Sequence, residues 1–143
     1  MHIMSEEEWR AFLTAAPART GKLATTRKDG RPHVAPIWYD LDDDGTIVFT
    51  TGAESLKGRS IRRDPRVSLC VDDERPPFSF VIVEGAVEIS EDLDDLLVWA
   101  TRIGGRYMGA EHADAFGRRN AVPGELLLRL RPAHVVAQAA IAD

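Results

Sequence analysis

The sequence predicts a mainly β fold, a small closed antiparallel barrel of six strands with flanking helices. Three observations carry this prediction. Six segments have strand patterning, tight-turn signals join the first three of them, and few helices intervene. The 143 residues are a single-domain length, so one domain spanning residues 1–143 is expected.

Ser5 followed by Glu8 is a capping box, and Trp9, Phe12 and Leu13 give the following helix a buried stripe that ends at Pro17. Residues 22–27 read as the first strand, and Asp29-Gly30 turns the chain tightly into a second over residues 32–41. Asp42-Asp43-Asp44-Gly45 supplies the next turn, before a third strand at residues 46–51. Residues 54–63 form a short basic helix closed by Asp64-Pro65. Val67, Leu69 and Val71 alternate with polar or small neighbours, the period of a half-buried strand. Residues 78–89 are a long strand whose run Phe80, Val81, Ile82, Val83 predicts burial on both faces, with Gly85 marking a bulge or bend. A helix follows over residues 92–107, with Leu93, Leu96, Leu97 and Ala100 on one face and Gly104-Gly105 ending or weakening it. A short helix at residues 111–119 precedes a last strand, in which Leu126, Leu128 and Leu130 alternate and which extends past Pro132 to Val136.

Composition excludes several functions. A net charge of −5 argues against a surface built for nucleic acid, and no apolar run approaches the ~18 residues of a membrane span. A lone cysteine, Cys70, forms no internal disulfide; together with the absence of a signal peptide this points to the cytoplasm. Cys70 lies on an apolar strand and reads as a buried structural residue. The four histidines lack metal-ligand spacing, and the Asp40–Thr51 stretch has threonine where a calcium loop needs a bidentate glutamate, so no metal site is expected.

One cluster carries chemistry. Lys57, Arg59, Arg62, Arg63 and Arg66 are five cations against one anion, Asp64, directly after the hydroxyls of Thr50, Thr51 and Ser55. Hydroxyls, helix-start N–H groups and one or two cations suit a phosphate, while a solvated basic helix face is the plainer reading.

Three segments read together resemble the flavin-binding split-barrel superfamily related to pyridoxamine 5′-phosphate oxidase, and most closely its branch that uses the deazaflavin coenzyme F420. They are Gly21-Lys22-Leu23-Ala24-Thr25, then Asp29-Gly30-Arg31-Pro32-His33-Val34-Ala35-Pro36-Ile37-Trp38, then Ser55-Leu56-Lys57-Gly58-Arg59 leading to Arg63-Asp64-Pro65-Arg66-Val67. Val83-Glu84-Gly85 and the run from Arg118 to Gly124 extend the likeness over nearly the whole chain. The resemblance implies a six-stranded antiparallel split β-barrel with flanking helices, paired as a twofold homodimer. It implies that His33, Ala35, Pro36, Ile37 and Trp38 lie along the ring of F420, or of FMN as the alternative. Thr50, Thr51, Ser55, Lys57, Gly58 and Arg59 would hold the phosphate, while Phe78 and Phe80 would reach the neighbouring subunit's cofactor. The family's oxidases carry a C-terminal Arg/His-rich segment for their substrate's phosphate. This chain has neither Arg nor Lys after Arg131, so vitamin B6 oxidation is not expected.

The implied activity is hydride transfer between F420 and a small unsaturated substrate, with the ring carrying the chemistry and the protein binding and orienting. Tyr39 and Tyr107 are the candidate proton donors, solvent being the alternative. An FMN-dependent reductase or oxidase and a non-catalytic flavin or haem binder are the rival readings on the same fold.

Overall fold

The computed structural model describes residues Met1–Asp143. Nine strands form one antiparallel sheet curled into a half-barrel, with helices against its sides. The strands are β1 (His2–Ile3), β2 (Gly21–Thr26), β3 (Pro32–Ile37), β4 (Asp40–Leu41), β5 (Ile47–Gly52), β6 (Arg66–Asp73), β7 (Ser79–Ser90), β8 (Glu125–Leu130) and β9 (His134–Ala139). The helices are α1 (Glu6–Thr14), α2 (Leu56–Arg63), α3 (Leu93–Met108) and α4 (Ala113–Asn120). The main path runs β3-β2-β6-β7-β8-β5-β4, so β3 and β4 are its two ends and the barrel is split between them.

The expected six strands become nine for physical reasons that can be named. The predicted strand over residues 32–41 breaks at Trp38-Tyr39. There the Tyr39 N–H donates to the Tyr107 hydroxyl oxygen at 3.3 Å, and its C=O accepts from the Arg106 guanidinium at 2.8 Å. Side chains of α3 have taken the groups that a partner strand would use. The predicted last strand divides at Pro132 into β8, which pairs with β5 and β7, and β9, which pairs with β7 and β1. The two-residue β1 carries no pattern and forms only because β9 offers it an edge.

The turns are as the sequence predicts. Gly30 (φ 88°) and Gly45 (φ 86°) adopt the left-handed conformation that closes the two hairpins. The Ser5–Glu8 capping box is formed on both sides, and Trp9 and Leu13 of α1 plug the barrel core beside Leu23, Tyr39, Phe49, Leu69 and Leu128.

Burial along β7 differs from expectation. Val81 and Val83 are fully buried, but Phe80 and Ile82 are half-buried and point outward. The same outer face carries half-buried Cys70, opposite Ile82 in register, and half-buried Val136. Cys70 is therefore not a core residue, although partial burial raises its thiol pKa and keeps it protonated. At Gly85, β7 reaches the end of its pairing with β9 and then takes β8 as its partner. A Cβ there would stand 2.5 Å from the Arg131 carbonyl, so the expected bend is a close backbone crossing.

Gly104-Gly105 does not end α3, which runs on to Met108. The reason is α4. A Cβ at Gly104 would collide with Phe116, and one at Gly105 would lie 3.1 Å from the Ala113 methyl. The glycines form the seat against which α4 packs.

Candidate functional site

A cleft of about 390 Å³ opens between the end of β3, the end of β5 and α2 on one side, and α3 with α4 on the other. It is lined by Thr20, Pro36, Ile37, Trp38, Thr50, Lys57, Ala100, Ile103, Gly104 and Asn120. Five of the predicted residues therefore meet in one place: Pro36, Ile37, Trp38, Thr50 and Lys57. Lys57 is the only charged side chain among the lining residues and forms no ion pair within the protein.

The other predicted residues are placed differently. Ser55 is the N-cap of α2: its hydroxyl donates to Gly52 C=O (2.7 Å) and accepts from Gly58 N–H (3.0 Å). Thr51 is buried, with its hydroxyl 3.1 Å from the Ser55 Oγ. Both hydroxyls are spent on holding α2 against β5, so neither lines the cleft. Gly58 has a packing role, since a Cβ there would overlap the Gly52 carbonyl. His33 and Ala35 are half-buried on β3 and lie outside the cleft lining. His33 Nδ1 and the hydroxyl of its register partner Thr25 are both buried without a hydrogen-bond partner. Phe78 is exposed, with a left-handed backbone (φ 64°) that a bulky side chain seldom adopts.

Arg59 turns to a second groove on the other side of α2. This groove, of about 810 Å³, is lined by Arg27, Lys28, Asp29, Arg31, Leu56, Arg59, Ser60 and Arg63. It holds five cations and one carboxylate, and that carboxylate, Asp29, is paired with Arg31 at 2.8 Å. The Ser60 hydroxyl and the Arg27 Nε are buried with no partner in the protein. The cations of residues 57–66 thus do not act as one run. Arg62 pairs with Glu91 and Arg66 with Asp64, while Asp72 and Asp73 are engaged by Lys22, Arg19 and Arg75. Arg27, Lys28 and Arg31 join Arg59 and Arg63 there from the β2–β3 hairpin, 28 to 36 positions earlier in the chain.

The two tyrosines are not proton donors to the cleft. Tyr39 is fully buried and its hydroxyl donates to Leu13 C=O at 2.7 Å, burial pushing its pKa up to about 12. The Tyr107 hydroxyl donates to Arg19 C=O at 2.7 Å, and its ring stacks on Trp38. Burial raises its pKa as well. Both phenols brace the cleft wall. Thr20, just before β2, and Ala100, Ile103, Gly104 and Asn120 of α3 and α4 complete the lining; only Asn120 lies in a segment that the resemblance covers.

The half-barrel, the lone lysine at the cleft and the strand that flanks it define a split-barrel protein of the flavin-binding class. The chain belongs to the pyridoxamine 5′-phosphate oxidase family, whose model matches residues 5–139. A solved structure of a conserved hypothetical protein from Mycobacterium tuberculosis is 31% identical, with a TM-score of 0.83 over 96% of this chain and 86% of that one. An F420 reductase is 28% identical, with a TM-score of 0.67 over 87% of this chain and 94% of its own. A 5a,11a-dehydrotetracycline/5a,11a-dehydrooxytetracycline reductase of Streptomyces rimosus is 34% identical over 56 residues, 37% of this chain and 39% of that enzyme. The chain thus matches about two fifths of the length of that curated relative. No helix is long and apolar enough to cross a membrane.

Proposed function

We propose that this chain is an oxidoreductase that moves a hydride between the deazaflavin coenzyme F420 and a small unsaturated organic substrate. The observation that carries the reading is the pair of sites flanking α2. One cleft offers Lys57 and the Thr50 hydroxyl, enough for a single phosphate. The other offers five cations and two orphaned buried polar atoms, more than a phosphate requires. F420 continues past its phosphate into a lactyl-glutamate tail carrying further carboxylates, whereas FMN ends at the phosphate. The basic groove suits the longer anion, and the likeness to an F420 reductase agrees.

The bound ring would supply the hydride chemistry. Pro36, Ile37 and Trp38 would orient it, with Trp38 held in place by the Tyr107 stack and by Phe116 at 5.6 Å. Lys57 would contribute binding energy remote from the reacting carbon. Ala100, Ile103 and Gly104 would keep water from one wall. Because both nearby phenols are committed to main-chain carbonyls, the proton accompanying the hydride comes from solvent or substrate. FMN is the second reading, favoured by Lys57 itself, which serves any ring bearing a ribityl phosphate.

The site is completed, on this reading, by a second copy of the chain. Phe78, Phe80, Ile82 and Val136 present a partly apolar outer face, and a twofold pair would cover it. Titration of the protein with F420 and FMN, at low and moderate salt, tests the assignment. F420 is expected to bind more tightly and to lose more affinity with salt. Equal or tighter FMN binding, or an F420 affinity unchanged by trimming the glutamate tail, would overturn it.

A further inference from the structure

Glu125 opens β8 directly opposite Gly52 of β5, and one of its carboxylate oxygens lies 3.9 Å from where a Cβ on Gly52 would stand. Gly52 is also the residue on which α2 is seated, because its carbonyl touches Gly58. The carboxylate therefore lies at the junction that positions Lys57, the single cation of the cleft. It accepts no hydrogen bond and has no ion-pair partner within 4 Å, yet it is only half-exposed. The Lys57 charge counters the rise in its pKa that burial causes. A half-buried carboxylate left unpaired beside an anion anchor weakens that anchor, so it calls for a reason beyond stability.

We propose that Glu125 makes the phosphate anchor selective for a phosphodiester over a phosphate monoester. The proposal rests on the assignment of the cleft to a ring bearing a ribityl phosphate. A monoester such as FMN loses a second proton near pH 6 and carries a charge between −1.5 and −2 at neutral pH. A diester, such as the phosphate inside F420, has one ionisation and carries −1. Lys57 balances one negative charge. An ionised Glu125 beside that junction already offsets this charge, so every negative charge on the ligand meets a repulsion that grows in proportion to the ligand's charge. Burial raises the Glu125 pKa and the Lys57 charge opposes that rise, so the ionisation of the carboxylate is tied to the cation of the anchor.

The test uses one ring with three charges: riboflavin, the methyl phosphodiester of FMN, and FMN. Each is titrated by flavin fluorescence into the wild-type protein and into Glu125→Gln. Because Coulomb energy scales with ligand charge, a gain of about 3-fold for the −1 ligand implies about 10-fold for the −2 ligand and none for riboflavin. Glu125→Asp, which keeps the charge, is expected to keep the wild-type ranking, and unfolding curves show that each variant is folded. Equal gains for all three ligands would mean a packing effect and would overturn the proposal. No gain for FMN, or no saturable binding of any of the three to either protein, would overturn it as well. F420 titrated into the wild-type protein reports separately on the cofactor reading, which can stand if Glu125 proves indifferent.

Discussion

Trp38 and Tyr107 lie ring over ring, with centroids 5.1 Å apart and planes within 4° of parallel. Trp38 stands where the β3 strand ends, and Tyr107 stands near the end of α3. The stack therefore fixes the distance between the two walls of the cleft, and the Tyr107 hydroxyl fixes its rotation by donating to Arg19 C=O and accepting from Tyr39 N–H. Tyr107→Phe keeps the stack but leaves the Tyr39 N–H and the Arg19 carbonyl unpaired. We expect a loss of about 1–3 kcal/mol in urea unfolding, the cost of such orphaned groups. Turnover with saturating cofactor should change by less than about two-fold, because a phenol committed to a carbonyl is not the proton donor.

Tyr39 predicts behaviour at high pH. Its pKa is raised to about 12 by burial from an ordinary 10.0, so the folded state favours the protonated phenol. The stabilisation is fully present below the unfolded pKa, near 10, and is lost as pH rises through 12. The two-unit difference corresponds to about 2.7 kcal/mol. Tyr39→Phe should flatten the fall in stability between pH 10 and 12. At neutral pH it should cost about 0.5–1.5 kcal/mol, since Leu13 C=O keeps its bond from Arg106 at 2.7 Å. A wild-type unfolding midpoint that is flat across that pH window would contradict this account.

Lys57→Ala and Arg62→Ala separate the anchor from the solvated charge. Removing Lys57 forfeits a charge-assisted contact of about 1.5–3 kcal/mol, or a 10- to 150-fold rise in cofactor Kd. Arg62 is tied to Glu91 on the surface, at 2.9 Å, and its loss should shift Kd by less than about two-fold. Equal effects, measured by fluorescence titration, would mean that the basic helix acts as a diffuse field.

Gly104→Ala sets two effects against each other. An alanine within a helix is favoured over glycine by about 1 kcal/mol. Here its methyl would collide with Phe116, and overpacking of that kind costs about 1–3 kcal/mol. We expect net destabilisation, with the Trp fluorescence of the folded state altered as Phe116 shifts against Trp38. A stabilised variant with unchanged fluorescence would show that α4 yields freely.

The sequence carried the fold well wherever a local rule was sufficient. The Ser5–Glu8 box, the Asp29-Gly30 and Asp42–Gly45 turns and the alternation of β6 each follow from neighbours within a few positions. It failed where distant side chains decide. Nothing near Tyr39 tells that Arg106 and Tyr107 will take its backbone groups and break the strand. Glycines at 104 and 105 signal a break until Phe116 and Ala113 arrive to fill the space. Lys57 and the run from Pro36 to Trp38 meet at the cleft, and their segments are among those that carry the resemblance. The hydroxyls of Ser55 and Thr51 lie outside the cleft lining because the cap of α2 claims both, and a hydroxyl's partner cannot be read from its position in the chain. Arg27, Lys28 and Arg31 carry no local signal because the charge of the groove is gathered across a hairpin and a helix.

The hairpin that supplies those arginines also leaves β3 as an unpaired margin of the sheet. Arg27 N–H donates to Arg31 C=O, so the pairs that bond across β2 and β3 are those of Thr25 with His33, Leu23 with Ala35 and Gly21 with Ile37. Pro32, Val34 and Pro36 alternate with them and turn their backbone outward. Two of those three residues have no hydrogen to give. A stray extended chain that tries to zip onto this margin finds one donor, Val34, flanked by two imino nitrogens, and its ladder cannot propagate. The barrel can thus stay open along one side without becoming a template for fibrils.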